Sequence, residues 1–138
     1  IVTDTQMAKA GINKTILASL GGEVHCFMSD PDVAQEARSR GVTRAFVSME
    51  KAAALEKPCI FAIGNAPTAL LSLEQLMEEG KAAPALIIGV PVGFVNVEIS
   101  KERIIEKARA PYIVARGRKG GSNVAAAICN ALLYQIRR

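Results

Sequence analysis

The 138-residue sequence has no tryptophan, a single histidine and an aromatic content of only 4%. Proteins that hold single-stranded nucleic acid rely on aromatic side chains as stacking platforms, so nucleic acid is not an expected partner. The three cysteines, Cys26, Cys59 and Cys129, are odd in number and far apart, with no CxxC pair among them. That spacing does not fit a zinc site, and no metal is expected. Each cysteine sits in an apolar segment, as buried free thiols do in a reducing cytoplasm, the location expected here. Long hydrophobic runs are also missing. The longest, Ala82 to Val95, is interrupted by Pro84, Gly89, Pro91 and Gly93 and falls short of the roughly 20 residues that span a bilayer, so no membrane span is expected. The apolar opening Ile1-Val2 has neither the basic flank nor the cleavage site of a secretory leader. Catalytic signatures are scarce: no Ser–His–Asp spacing, no paired-carboxylate motif, no GxGxxG and no GxxxxGK[ST].

What is present is an ordinary globular composition, 50% hydrophobic and 22% charged, at a length that suits one domain over residues 1–138. The net charge of +4 is unevenly spread. Residues 101–138 hold nine basic groups and two acidic ones, Glu102 and Glu106, for a net +7 against −3 in residues 1–100. A basic end favours an anionic partner, and with so few aromatics a small polyanion fits best. Over Lys101 to Arg109 a solvated helix face is the equal alternative.

Short β-rich runs alternate with helical patterns. Glu23–Met28, Cys59–Ile63, Ala85–Val90 and Tyr112–Ala115 read as strands, and Ile1-Val2 is strand-like. The continuous runs Ile60–Ile63 and Leu86–Ile88 suit strands buried on both faces, the mark of a parallel sheet. Helices are expected from Pro31 to Arg40, capped by Asp30 and stopped at Gly41; from Thr43 to about Glu56; from a cap at Asn65 to Gly80; from Ser100 to about Ala108; and from Ser122 to Ile136. The alternation predicts a three-layer α/β/α fold with a mostly parallel sheet.

Open α/β sheets bind ligands beyond the carboxyl ends of their strands, so the strand-to-helix junctions hold the candidates. Asp4, after Ile1-Val2, suits either a ligand contact or a helix cap. Gly64-Asn65-Ala66-Pro67-Thr68 offers close backbone approach and the two-way hydrogen bonding of Asn65, or a well-capped helix. Gly89–Val95 is an apolar, turn-rich loop suited to a large flat ligand or an oligomer contact. Arg116-Gly117-Arg118-Lys119-Gly120-Gly121-Ser122 joins cations and free backbone N–H groups to a helix start, which makes an anion site. Arg44, at another helix start, can reach a carboxylate. His25 has no carboxylate near it in sequence to orient it, and a packed or capping role is expected.

Three of these junctions, Gly64–Leu70, Gly89–Val95 and Gly117–Ser122, in this order and spacing, resemble the precorrin-8X methylmutase (precorrin isomerase) family and its cobalt-precorrin-8 counterpart. Ile1–Gly11 and Gly22-Glu23-Val24 with Cys26 and Asp30 are similar as well. The resemblance spans the whole chain and corresponds to the C-terminal two thirds of the family. It implies an isomerase of corrin-ring (cobalamin) synthesis that moves a methyl group from C-11 to C-12 by a 1,5-sigmatropic shift, with no redox or group-transfer cofactor. The implied partners are a macrocycle bearing many carboxylates and a second copy of the chain, the active site lying at the homodimer interface. Substrate contacts are expected from Asp4, Arg44, Asn65, Pro67, Thr68, Gly93, Arg118, Lys119, Gly120, Gly121 and Ser122. The family's catalytic histidine aligns upstream of Ile1, so no catalytic residue is assigned here and His25 does not match it. The Glu-Ser-Lys expected after Gly-Phe-Val departs to Ile99-Ser100-Lys101, with Glu98 one position early. A non-catalytic tetrapyrrole-binding or carrier module is the alternative, with a phosphate- or nucleotide-binding domain a weaker one.

Overall fold

The computed structural model describes residues 1–107 and 109–137. Four strands, β1 (Val2–Thr3), β2 (Ile60–Ile63), β3 (Leu86–Gly89) and β4 (Tyr112–Val114), form one parallel sheet in sequential order. Phe61 pairs with Val2 and Ile87, and Ile87 with Tyr112. The helices are α1 (Gln6–Gly11), α2 (Lys14–Ser19), α3 (Pro31–Arg40), α4 (Arg44–Ala53), α5 (Pro67–Glu78), α6 (Val97–Lys107) and α7 (Ser122–Arg137). This is the three-layer α/β/α arrangement expected.

Side-chain alternation along the strands splits the core in two. Val2, Phe61, Ile63 and Ile87 point to one face, where Val33, Met49, Leu70, Leu73 and Ile104 of α3 to α6 cover them. Ala62 and Ile88 point to the other, against Ile16 and Leu17 of α2 and Ala125, Cys129 and Leu133 of α7. β2 and β3 are covered on both faces, hence their continuous apolar runs, while Tyr112 and Ile113 of the edge strand β4 stay exposed. All three cysteines are buried and reduced, and burial pushes the Cys129 thiol up to about 11.

Several boundaries differ from expectation. Glu23–Met28 is not a strand: only His25 pairs, in a single parallel bridge to Val2, accepting from the Thr3 N–H at 2.9 Å and donating to Ile1 at 2.8 Å. β1 is two residues long and has no further ladder to offer. The short helices α1 and α2 occupy residues that carry no helical pattern of usable length. Helix α4 stops at Ala53, and Glu56 turns the chain with φ of 55° before Pro58. Helix α6 starts at Val97 instead of Ser100, because Asn96 takes a left-handed φ of 62° and its carbonyl accepts the Ser100 N–H. The expected end of that helix, Ala108, lies outside the described residues.

A candidate anion site at the carboxyl end of the sheet

Parallel strands in sequential order bring every strand exit to the same end of the sheet. The first residue beyond β1 is Asp4, and it is fully buried. Its Oδ1 accepts the Gly64 N–H at 2.9 Å, and its Oδ2 accepts those of Asn65 at 2.9 Å and Ala66 at 2.6 Å. Helix α5 opens at Pro67 with Ala66 as its N-cap, and Ala66 has no side chain able to cap it. Asp4 supplies that cap from across the sheet. Burial raises its pKa above 3.8, and the three N–H bonds oppose the rise. Of the two roles open to it, ligand contact or helix cap, Asp4 takes the cap, facing inward with both oxygens engaged. Asn65, expected as the cap, contributes its backbone N–H to Asp4 and leaves its side chain exposed.

The exits are packed backbone against backbone. A side chain on Gly64 would meet the Gly121 carbonyl oxygen and the Ser122 Cα, both 2.7 Å from the position of its Cβ, and one on Gly120 would overlap the Val90 carbonyl. Glycine is what permits both approaches. The Gly121 N–H donates to Val90 at 2.9 Å, and the Gly93 N–H donates to Arg118 at 3.1 Å. Thr5 and Ser122 share a hydroxyl–hydroxyl bond of 2.8 Å that ties the start of α1 to the start of α7. On the other side, Thr43 caps α4 by accepting the Phe46 N–H and donates its hydroxyl to Thr68 at 2.9 Å. Arg44, the first residue of α4, is exposed at this same end, next to the start of α5.

Between the β3 and β4 exits lies an open cleft of about 520 Å³, lined by Val92, Gly93, Phe94, Arg116, Gly117, Arg118 and Lys119. Phe94 is 81% exposed, and the Arg118 guanidinium sits 5.0 Å from its ring centre, a cation–π distance. Arg118 also lies 3.9 Å from Glu98, and Arg116 pairs with Glu102 at 3.1 Å. The cleft therefore has an apolar wall and a cationic rim. Of the residues predicted from sequence, Gly93, Arg118 and Lys119 line it. Gly120, Gly121 and Ser122 form its junction with α7. Arg44, Asn65, Pro67 and Thr68 stand on the neighbouring exits.

One residue of the 101–109 stretch, for which a solvated helix face was an equal alternative, is not solvated. Lys101 of α6 is fully buried, and its Nζ donates to the carbonyls of Gly117 at 2.7 Å and Lys119 at 3.0 Å. Burial pulls its ammonium below the usual lysine range, with Glu98 opposing. The signal was available: Val97, Ser100, Lys101 and Ile104 recur at helical spacing and are the buried stripe of α6.

His25 lies elsewhere. It borders an opening with Glu23, Pro58 and Cys59, at the amino end of β2. Its Nε2 bonds Glu23 at 2.9 Å, and its ring stacks on Phe27 at 5.6 Å. A carboxylate two residues away does orient it, contrary to the sequence reading, since residues two apart in an extended segment point to the same side. Among the described residues no group of three or more His, Cys, Asp or Glu is placed to hold a metal ion, and no helix is long and apolar enough to cross a membrane.

The family model described as precorrin-8X methylmutase (CbiC) matches residues 1–135. The chain belongs to the precorrin-8X methylmutase family. It is 49% identical over 132 residues to the cobalt-precorrin-8 methylmutase of Priestia megaterium, covering 96% of this chain and 58% of that protein. It is 49% identical over 138 residues to that of Salmonella typhimurium, covering 99% and 63%. Among solved structures, the precorrin-8X methylmutase of Thermus thermophilus superposes with a TM-score of 0.85 at 39% identity, covering 96% of this chain and 64% of that one. The chain thus spans about three fifths of the length of the curated methylmutases it matches.

Proposed function

We propose that this chain carries the corrin-binding end of an isomerase of cobalamin biosynthesis. The reaction moves a methyl group from C-11 to C-12 of precorrin-8X or cobalt-precorrin-8, giving hydrogenobyrinate or cobyrinate. One carbon–carbon bond breaks and another forms within the same molecule, so no atoms or electrons are exchanged with a co-reactant. The protein's task is then to hold a flat, many-carboxylate ring still and to place a proton-handling group beside it.

The observation that carries this reading is the cleft beyond β3 and β4 in a member of this family. Val92 and Phe94 give the macrocycle an apolar surface, and Arg118 and Lys119 meet carboxylates at its edge. Arg44, Asn65 and Thr68 reach carboxylates further round the same end, and the starts of α4, α5 and α7 add their positive poles. Asp4 and Gly120 hold these loops in register. The histidine of this chain is paired with Glu23 away from the cleft, and the acid–base group is the family histidine that the resemblance aligns upstream of Ile1. The exposed Phe94, Val95 and Ile99 suit the contact of a homodimer whose interface closes the cleft. A cytoplasmic location fits the three reduced cysteines.

The test is incubation of the protein with precorrin-8X while the absorption spectrum is followed. Conversion to the hydrogenobyrinate spectrum supports the isomerase. Residues 1–138 alone are expected to bind the substrate and leave its spectrum unchanged; an unchanged spectrum with a chain that also carries the family's acid–base segment supports the carrier alternative, and no binding refutes both.

A further inference from the structure

Burying a lysine without a carboxylate partner is costly, and Lys101 is buried with two backbone carbonyls as its acceptors. Both belong to one loop, the cationic rim of the cleft. Lys101 reaches from the first half of α6 under residues 117–119 and pulls alternate carbonyls, those of Gly117 and Lys119, towards the core. The carbonyl between them, of Arg118, turns the other way and accepts the Gly93 N–H. A trans peptide sets each N–H opposite its carbonyl, so the N–H groups of Arg118 and Gly120 point away from the ammonium. The Gly117 φ of 90° is the turn that this alternation requires.

We propose that Lys101 is a positioning residue for anion recognition, its ammonium fixing the 117–119 loop so that N–H groups and the Arg118 and Lys119 side chains meet ligand carboxylates in one orientation. The proposal rests on the corrin-binding reading above and adds to it a residue that does not touch the ligand. An arrangement without the buried cation leaves two inward carbonyls unpaired, and the loop turns them outward, where they repel carboxylates.

The charged side chain acting on this ammonium is that of Glu98 on its own helix; Arg116, Arg118 and Lys119 belong to the loop whose carbonyls it holds. The arginines stay charged at all accessible pH values. Lys119 is exposed, whereas burial holds the Lys101 ammonium below the usual range. Ligand affinity therefore falls as pH rises through the Lys101 titration.

The experiment compares the wild-type protein with Lys101→Met, which keeps the stem and removes the charge. Hydrogenobyrinate binding is titrated by absorbance, folding is followed by circular dichroism, and exchange of the Arg118 and Gly120 amides is followed by NMR. The expected result is a folded variant that binds roughly ten- to a hundredfold more weakly, the loss typical of a charged hydrogen-bonding group, with faster exchange at both amides. Equal affinity in the folded variant overturns the role of Lys101 while the corrin-binding reading stands. Absence of binding by the wild type overturns both. If Lys101→Met does not fold, the wild type decides: the Lys101 Cε resonance and the affinity are followed across alkaline pH. Coincident midpoints support the role, and an affinity that stays flat through the Lys101 titration refutes it.

Discussion

Replacing Asp4 by asparagine tests how the site is held together. The carboxylate accepts three N–H groups with two oxygens, and the Gly64 N–H is itself buried. An amide of the same shape has one acceptor oxygen. Turned to Asn65 and Ala66, it presents its NH2 to the Gly64 N–H, so one charge-assisted bond is lost and one buried donor is orphaned, about 2–4 kcal/mol in all. Asp4→Ala orphans all three, about 3–5 kcal/mol. At roughly 3–4 °C per kcal/mol for a domain of this size, Tm falls by roughly 6–16 °C in Asp4→Asn, and further in Asp4→Ala. Thermal unfolding by circular dichroism measures both. The pH dependence has a definite sign. Burial raises the folded pKa of Asp4 above 3.8, so folding takes up a proton there. The stability linked to that proton is fully present below pH 3.8 and is lost as pH rises through the folded value. Wild type therefore gains on Asp4→Asn when the solution is acidified through that window. Variants within about 1 kcal/mol of wild type would refute the capping account, whereas a gap that narrows on acidification would show that the three N–H bonds outweigh burial in setting the Asp4 pKa.

Gly120→Ala places a methyl group on the Val90 carbonyl and is expected to cost about 2–3 kcal/mol, read by urea unfolding. Arg103 pairs at 2.8 Å with the carboxylate of Glu74, whose side chain is 7% exposed. Arg103→Ala strands that charge and lowers stability by about 1–2 kcal/mol, discounted because the arginine is half exposed, whereas Arg103→Lys restores part of the loss. With its thiol at about 11, Cys129 resists iodoacetamide at pH 8 in the folded protein and reacts in urea, as peptide mass spectrometry would record.

Much of the scaffold was legible because the inner strands β2 and β3 are buried on both faces. Ile60–Ile63 and Leu86–Ile88 leave no polar alternation, and that pattern has few structural readings. Gly41, with its φ of 67°, and Thr43, with its cap bond to Phe46, announced the turn between α3 and α4. What stayed hidden depends on residues far apart in sequence. Asp30 occupies a cap position but makes no cap bond, because its carboxylate pairs with Lys51 at 2.6 Å. The cap of α5 comes from Asp4, 62 residues before Ala66, which no local pattern encodes. Lys101 was masked by its type, since a lysine among charged neighbours reads as surface, although its helical position put it on the buried stripe.

The central claim is that the cationic end of the sheet holds the carboxylates of a corrin. It is tested most directly by titrating hydrogenobyrinate into the protein and into its Arg44→Ala/Arg118→Ala double variant, with equal folding checked by circular dichroism. The account predicts saturable binding by the wild type and a loss of roughly a hundredfold or more in the double variant, about tenfold for each charged contact. Equal binding by a folded double variant, or none by the wild type, would contradict it.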